Sequence, residues 1–415
     1  MRIRKHTDIA TPLVRDRAVG PSGVMTRRND IDWLRIIAVL LLFPYHTARI
    51  FNLDEEFYVK SASLSKALSF FVEYLGPWHM PLLFFLAGAS TWFALSHRSG
   101  ARYAGERFKR LAIPFIFGLF VIVPPQSYLG LLSHGGAPGS FFGWFPNFLH
   151  LNDADPDGYF LGGLTFGHLW FIFHLFLYSV ILLPIVLFLR RGAGRRLVDL
   201  LARLATKPVV ILLFGALTLP ATVVPDFAGG NIALLSITFL LGYLLVSDVR
   251  FERAVDRHKL AALILGPVAC LAVAYFDVKN STGLSGWTAD VYETYVGIFV
   301  PWFCIVASLG YGRRFLRRGG AFLKHASPAS YPVYLLHQTV IVALGFVVLK
   351  WQVGVALQFA LILAGSLMGC ALVYELVVKR LNVVRFLFGM PARKKSVQVV
   401  SSQERVVRPA PETVS

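Results

Sequence analysis

The sequence predicts an all-α polytopic membrane protein, a bundle of about ten transmembrane helices with both termini in the cytoplasm. Three observations predict it. Apolar residues make up 56% of the 415 residues and charged residues only 15%, against roughly 25% charged in an ordinary soluble domain. The apolar residues gather in ten runs almost free of charge, most of them near the ~20 residues that cross ~30 Å of hydrocarbon. With the first linker placed in the cytoplasm and sides alternating, 36 of the 41 Lys and Arg residues fall inside, and only Arg49, Lys60, Lys66, Lys279 and Lys350 fall outside. That bias is the positive-inside rule. It also accounts for the net charge of +18 with the lipid bilayer, and no nucleic acid, as the partner.

Along the chain, residues 1–28 are polar, basic and aperiodic, and read as an unstructured arm. The membrane domain spans residues 29–392. Its first run, Trp33–Phe51, is too long for a signal-peptide core and has no small-residue cleavage site after it, so it stays as a helix. His79–Leu95, Leu111–Leu132 and His168–Leu189 follow. Val209–Val224 and Ile232–Val246 form a short pair around Asp226-Phe227-Ala228-Gly229-Gly230. Leu260–Phe276, Tyr292–Gly310, Tyr331–Leu349 and Val353–Val378 complete the set, and 393–415 reads as a disordered cytoplasmic tail. Cys270, Cys304 and Cys370 sit singly in apolar runs, as small core residues outside any disulfide framework. Asn280-Ser281-Thr282 matches a glycosylation sequon on an outer loop. The outer linker Ser133–Gly167 carries Phe141, Phe142, Trp144 and Phe145 beside Asp153, Asp155 and Asp157. Aromatic rings next to carboxylates suit a carbohydrate surface, and they equally suit an interfacial aromatic belt.

No Gly-Lys dipeptide occurs, nor HExxH, nor GxSxG. The chain therefore lacks the signatures of a P-loop ATPase, a zinc hydrolase and a serine hydrolase, and no metal or bound cofactor is implied. Titratable groups inside spans are costly and become the functional candidates. Arg35 and His46 are 11 residues apart on the first helix, close to three whole turns, so they share a face about 16 Å apart along the axis. Asp32, three residues before Arg35, is placed to pair with it. His46 reads as a functional imidazole or as a satisfied core histidine. His79 and His168 open the second and fourth spans at similar depth and could line one outward pocket with His46, Glu73, Trp78 and Trp170. Arg107 and Arg110, at i and i+3, suit a phosphate on the inner side, or serve as plain positive-inside anchors. Glu375 is the carboxylate near the inner end of the last helix, where pairing with an inner arginine is its structural reading. Tyr331, Tyr334 and His337 form a partly polar face on the ninth helix.

These residues carry a resemblance. Asp30-Ile31-Asp32-Trp33-Leu34-Arg35, ten residues and then His46 resembles the first motif of the bacterial integral-membrane acyltransferase type 3 family. Arg107-x-x-Arg110 before Pro114 resembles its second. Met80-Pro81-Leu82-Leu83-Phe84-Phe85-Leu86-Ala87-Gly88, His168-Leu169-Trp170-Phe171 and Ala329-Ser330-Tyr331-Pro332-Val333-Tyr334-Leu335-Leu336-His337 agree in order and placement. Tyr374-Glu375-Leu376 with Val384-Arg385-Phe386-Leu387-Phe388-Gly389 is similar to the glucans biosynthesis protein C branch.

The resemblance implies a multi-pass enzyme of the bacterial inner membrane. It would take a succinyl or acetyl group from cytoplasmic acyl-CoA, its co-substrate, and place it on a hydroxyl of a periplasmic or cell-surface glycan. On that reading His46 is the general base, since an imidazole titrates near neutral pH. Arg35 holds the acyl-CoA or orients the helix face, and Arg107 and Arg110 bind CoA phosphates. His79, His168, Glu375 and His337 are secondary candidates, and Arg49, one turn beyond His46, is placed to read the free carboxylate of a succinyl group. A transporter or flippase remains the alternative, with Pro44, Pro124-Pro125 and Pro220 as helix breaks.

Overall fold

A computed structural model describes residues 28–53, 56–151, 154, 155, 157, 159–278 and 286–393. Apart from Arg28 and Arg393, the expected basic arm and tail lie outside the described residues, as do Asp153 and the Asn280-Ser281-Thr282 sequon. Seven helices are long and apolar enough to cross a membrane: Asn29–Arg49, Lys66–Leu95, Gly100–Ser133, Val249–Tyr275, Trp287–Phe315, Ala321–Val348 and Val355–Val378. Three shorter apolar helical segments, Gly167–Ile181, Val210–Thr222 and Ile232–Leu245, lie where the other runs of the sequence fall. In chain order these ten are called the first to tenth apolar helices below. The strands among the described residues are Asp226–Phe227 and Gly230–Asn231, an antiparallel hairpin joining the fifth and sixth.

Helix boundaries depart from the hydrophobic runs where charge or proline hides the helix. The second begins at Lys66, thirteen residues before His79, and runs through Glu73, Gly76, Pro77 and Pro81. Proline inside a helix removes a backbone bond and would break it in water, but neighbouring helices support such positions in a membrane bundle. The third is one continuous helical run with π turns at Phe108–Ala112 and Gly118–Ile122. A π turn inserts a residue and re-aims the side chains around it.

The bundle closes through small residues. The second and sixth helices touch backbone to backbone: a Cβ on Gly88 would lie 1.8 Å from the Phe239 carbonyl oxygen, and one on Gly242 would lie 2.0 Å from that of Phe85. Such glycines let membrane helices approach when no hydrophobic force between them exists. The first helix packs between the second and the ninth. At its start Arg28 pairs with Asp30 (2.7 Å) and Glu252 (2.5 Å), and Arg313 reaches Glu252 (3.2 Å), tying the first, seventh and eighth helices together.

Much of the polar and aromatic content of the long linker is structural. It folds a short helix, Phe141–Phe148, whose Trp144 and Phe148 are buried, with Trp144 against Tyr128 at 5.3 Å between ring centres. The Asp155 carboxylate accepts from the backbone N–H groups of Tyr159 (3.0 Å), Phe160 (2.8 Å) and Leu161 (2.5 Å). These side chains satisfy the loop's own backbone and core. Phe142, 86% exposed, is free of that duty.

Candidate active site

The first helix carries Arg35 near its start and His46 in its last turn. Each lines a different cavity, at opposite ends of the helix. One cavity, of about 500 Å³, is lined by Arg35, Ser90, Arg107, Arg110, Tyr331, Tyr334 and Gly389. Arg35 donates to Ser90 Oγ (2.6 Å) and pairs with Asp32 (3.2 Å). Arg107 donates to Thr91 Oγ1 (3.4 Å) and lies 4.8 Å above the Tyr103 ring. Arg110 sits on the π turn and is exposed to the same space. Four guanidinium groups, those of Arg35, Arg98, Arg107 and Arg110, thus border one cavity, with the Glu106 carboxylate paired to Arg98 (3.2 Å) and with hydroxyls, tyrosines and apolar side chains in its other walls. A multiply charged phosphate fits such a set, because arginine offers a planar fork of donors.

The second cavity, of about 640 Å³, is lined by His46, Arg49, Phe57, Asp157, His168 and Trp170 among others. Arg49 donates to the Glu56 carbonyl (2.8 Å) and its guanidinium lies 5.4 Å over Phe57. Two of its lining imidazoles, those of His46 and His168, meet a third behind the wall. His337 lies 5.1 Å from His46 and 5.0 Å from His168, measured between ring centres. His337, on the ninth helix, is fully buried. Among the described residues no group of three His, Cys, Asp or Glu side chains is arranged to hold a metal ion.

The hydrogen bonds assign the tautomers, since a carbonyl oxygen accepts and never donates. His168 Nε2–H donates to the Leu335 carbonyl (2.9 Å), and its Nδ1 accepts from Gln126 Nε2 (3.4 Å). His337 Nδ1–H donates to the Tyr334 carbonyl (2.5 Å). His79 Nε2–H donates to the Ala38 carbonyl (2.7 Å), one row behind the cavity. His46 Nδ1 and His337 Nε2 are both buried without a hydrogen-bond partner.

An amide network holds the ninth helix against the third. Pro124 and Pro125 have no N–H, and the backbone N–H of Gln126 turns to the Val123 carbonyl. The Ile122 carbonyl is then taken by the Thr339 hydroxyl (2.8 Å). Gln126 Nε2 donates to Thr339 Oγ1 (2.7 Å), and Gln338 Nε2 donates to Gln126 Oε1 (2.9 Å). Tyr334 stands between the two cavities. It lines the Arg35 cavity, its hydroxyl donates to the His168 carbonyl, and its own carbonyl holds His337.

A family model described as an acyltransferase domain, Acyl_transf_3, matches residues 28–375. The chain belongs to the acyltransferase 3 family. No curated protein and no solved structure matches it. The helical fold and the family together make this a membrane acyltransferase. The matched residues hold both cavities' charged groups, while Gly389, Met390 and Pro391, which close one wall of the Arg35 cavity, lie beyond them.

The structure brings Arg35, Arg107 and Arg110 together, and separately His46, His168, His337 and Arg49. It does not bring in His79, which bonds backbone behind the cavity, nor Glu73 or Trp78, which are not among the lining residues of either cavity. Glu375 is not paired with an inner arginine. Its carboxylate meets Lys379 and His325, each at 2.8 Å, because Lys379 lies one turn away on the same helix and His325 faces it from the ninth. Gln126, Gln338, Thr339 and Tyr334 were not singled out as site residues from sequence, apart from Tyr334 as part of a polar face. Their signal was an amide after Pro124-Pro125 and a Gln-Thr pair after His337, all inside apolar runs.

Proposed function

We propose that this acyltransferase takes a succinyl or acetyl group from acyl-CoA at the Arg35 cavity and transfers it to a hydroxyl of a periplasmic or cell-surface glycan at the His46 cavity. In this reading the protein lies in the bacterial inner membrane, crosses it ten times and keeps both termini in the cytoplasm. Three shorter apolar helices beside the seven long ones support the ten crossings, and the placement of 36 of 41 basic residues supports the orientation. The likeness of the Tyr374–Gly389 segment to the glucans biosynthesis protein C branch supports succinyl and periplasmic glucan. The observation that carries the function is one helix with a cation in one cavity and an imidazole in the other.

The chemistry needs little else. CoA phosphates bind Arg107 and Arg110, and Arg35 orients the donor toward the bundle interior. The acceptor hydroxyl oxygen attacks the thioester carbonyl carbon and forms a C–O bond, while its proton passes to His46 Nε2. The C–S bond then breaks. CoA leaves as a thiolate and takes the proton from the His46 imidazolium, which restores the neutral ring. Positioned proton transfer of this kind is worth typically 10²–10⁴-fold. Arg49 lies in the acceptor cavity where it can meet the free carboxylate of a succinyl group.

Mass spectrometry of periplasmic glucan and surface polysaccharide from a deletion strain and its parent tests the reading. The deletion should lose a succinyl or acetyl mass increment from one glycan. Identical acylation of every envelope glycan in both strains contradicts it.

A further inference from the structure

His46 and His337 each keep a buried nitrogen with no hydrogen-bond partner, Nδ1 on the first and Nε2 on the second. Leaving one such atom dry costs roughly 1–3 kcal/mol, so two in adjacent rings call for a common explanation. The two atoms are complementary. His337 donates through Nδ1 to the Tyr334 carbonyl, so in the neutral ring Nε2 holds the lone pair. His46 has no hydrogen bond of its own to set its tautomer, and with Nδ1 sealed in the interior, Nε2 is the nitrogen left for the cavity. The rings lie 5.1 Å apart, and two imidazoles joined by an N–H···N bond of about 3 Å have centres roughly 5 Å apart. The spacing of the two rings is therefore that of a hydrogen-bonded pair, though their nitrogens are not yet aligned.

The other two histidines nearby already hold backbone carbonyls. His168 spends Nε2 on Leu335 and Nδ1 on Gln126. His79 spends Nε2 on Ala38. His337 itself is locked by its bond to Tyr334, by full burial and by the ninth helix, which the Gln126–Gln338–Thr339 network ties to the third.

We infer that His337 is a positioning residue: its Nε2 accepts from Nδ1–H of His46 and so holds His46 in the tautomer whose Nε2 lone pair faces the acceptor cavity. The inference rests on His46 as the base in the proposed function. His337 then does for His46 what a carboxylate does for the histidine of a Ser-His-Asp triad, fixing tautomer and ring orientation. It does so with a neutral acceptor, which suits a membrane interior, where an ionised carboxylate is expensive.

The test uses the full-length protein in nanodiscs, labelled with ¹⁵N-histidine, with the His46 signals assigned by their loss in His46→Gln. The wild type should show His46 protonated at Nδ1. In His337→Phe, which keeps a ring but no lone pair, His46 should shift toward a mixture of tautomers. Transfer of label from radioactive succinyl-CoA to isolated periplasmic glucan should fall about 10²-fold in kcat, as misplacing a catalytic group does, with KM for succinyl-CoA unchanged. His337→Asn, whose amide oxygen can accept, should recover part of the rate and keep the tautomer. His337→Phe added to His46→Gln should cost nothing further. A His46 protonated at Nε2 in the wild type, or a tautomer unchanged in His337→Phe, overturns the inference. If His337→Phe does not fold, a kcat in His337→Asn as low as in His46→Gln does the same. Full activity of His46→Gln would instead remove the base from His46 and sink the proposed function, while the tautomer measurement would still stand by itself.

Discussion

Replacing both Arg107 and Arg110 by alanine should separate binding from folding. In the fold Arg107 has only modest work: a long donor to Thr91 at 3.4 Å and a face-on contact with Tyr103 at 4.8 Å. Thr91 keeps its bonds to the Ala87 carbonyl (3.0 Å) and the Tyr103 hydroxyl (2.9 Å), so its loss of Arg107 strands nothing. The cation–π contact is worth about 0.5–1 kcal/mol, and Arg110 is exposed. The double variant should therefore stay folded, with a small loss of thermal stability. Its loss in binding is larger. A hydrogen bond to a charged group contributes about 1.5–3 kcal/mol, so losing even one phosphate contact raises Kd for acyl-CoA by about 10- to 150-fold. Thermal unfolding of purified protein reads this directly. Ligand at one hundred times the wild-type Kd stabilises by about 2.7 kcal/mol, and after a hundredfold rise in Kd by only about 0.4 kcal/mol. Arg→Lys at both positions should recover part of the shift, since a point charge lacks the fork. Full stabilisation of the double alanine variant by succinyl-CoA would refute the phosphate role and leave the two arginines as membrane anchors.

Four further outcomes follow from the packing and the charge pattern. Gly88→Ala puts a Cβ 1.8 Å from the Phe239 carbonyl oxygen, which is backbone and cannot yield, so fluorescence size-exclusion should show loss of folded protein. Gly105→Ala meets nothing within 4 Å and should be neutral or stabilising by up to about 1 kcal/mol. Gly389→Ala, at φ +67° and with its Cβ 2.7 Å from the Arg110 carbonyl oxygen, should cost at least about 1–2 kcal/mol from the left-handed backbone alone and raise KM for acyl-CoA by disturbing the cavity wall. Reporter tags after Gly100 or Gly192 should read cytoplasm and tags within 135–139 should read periplasm; a periplasmic report after Gly192 breaks the ten-crossing topology.

The apolar helices were legible in the sequence because hydrocarbon forbids unpaired backbone, so long apolar runs have one outcome. The start of the second helix was not, because Lys66, Glu73, Gly76 and Pro77 carry local signals of a linker and only the neighbouring helices override them. The placement of Arg35 and His46 near opposite ends of one helix was legible from helical rise, which needs no tertiary knowledge. The place of His337 was not: 291 positions separate it from His46, and its meeting with His46 depends on how the first and ninth helices pack. For the same reason the structural duties of Asp155 and Trp144, which hold the linker's backbone and core, are not legible in a sequence that suits a sugar surface and an interfacial belt equally.

The central claim is that His46 takes the acceptor's proton. The most direct measurement is transfer of label from radioactive succinyl-CoA or acetyl-CoA to isolated periplasmic glucan by purified wild-type and His46→Gln protein, with folding checked by size-exclusion. Glutamine keeps the size and a hydrogen-bonding group but cannot take up the proton. The account predicts folded protein with transfer lowered by at least about 10²-fold; folded His46→Gln that transfers at close to the wild-type rate would contradict it.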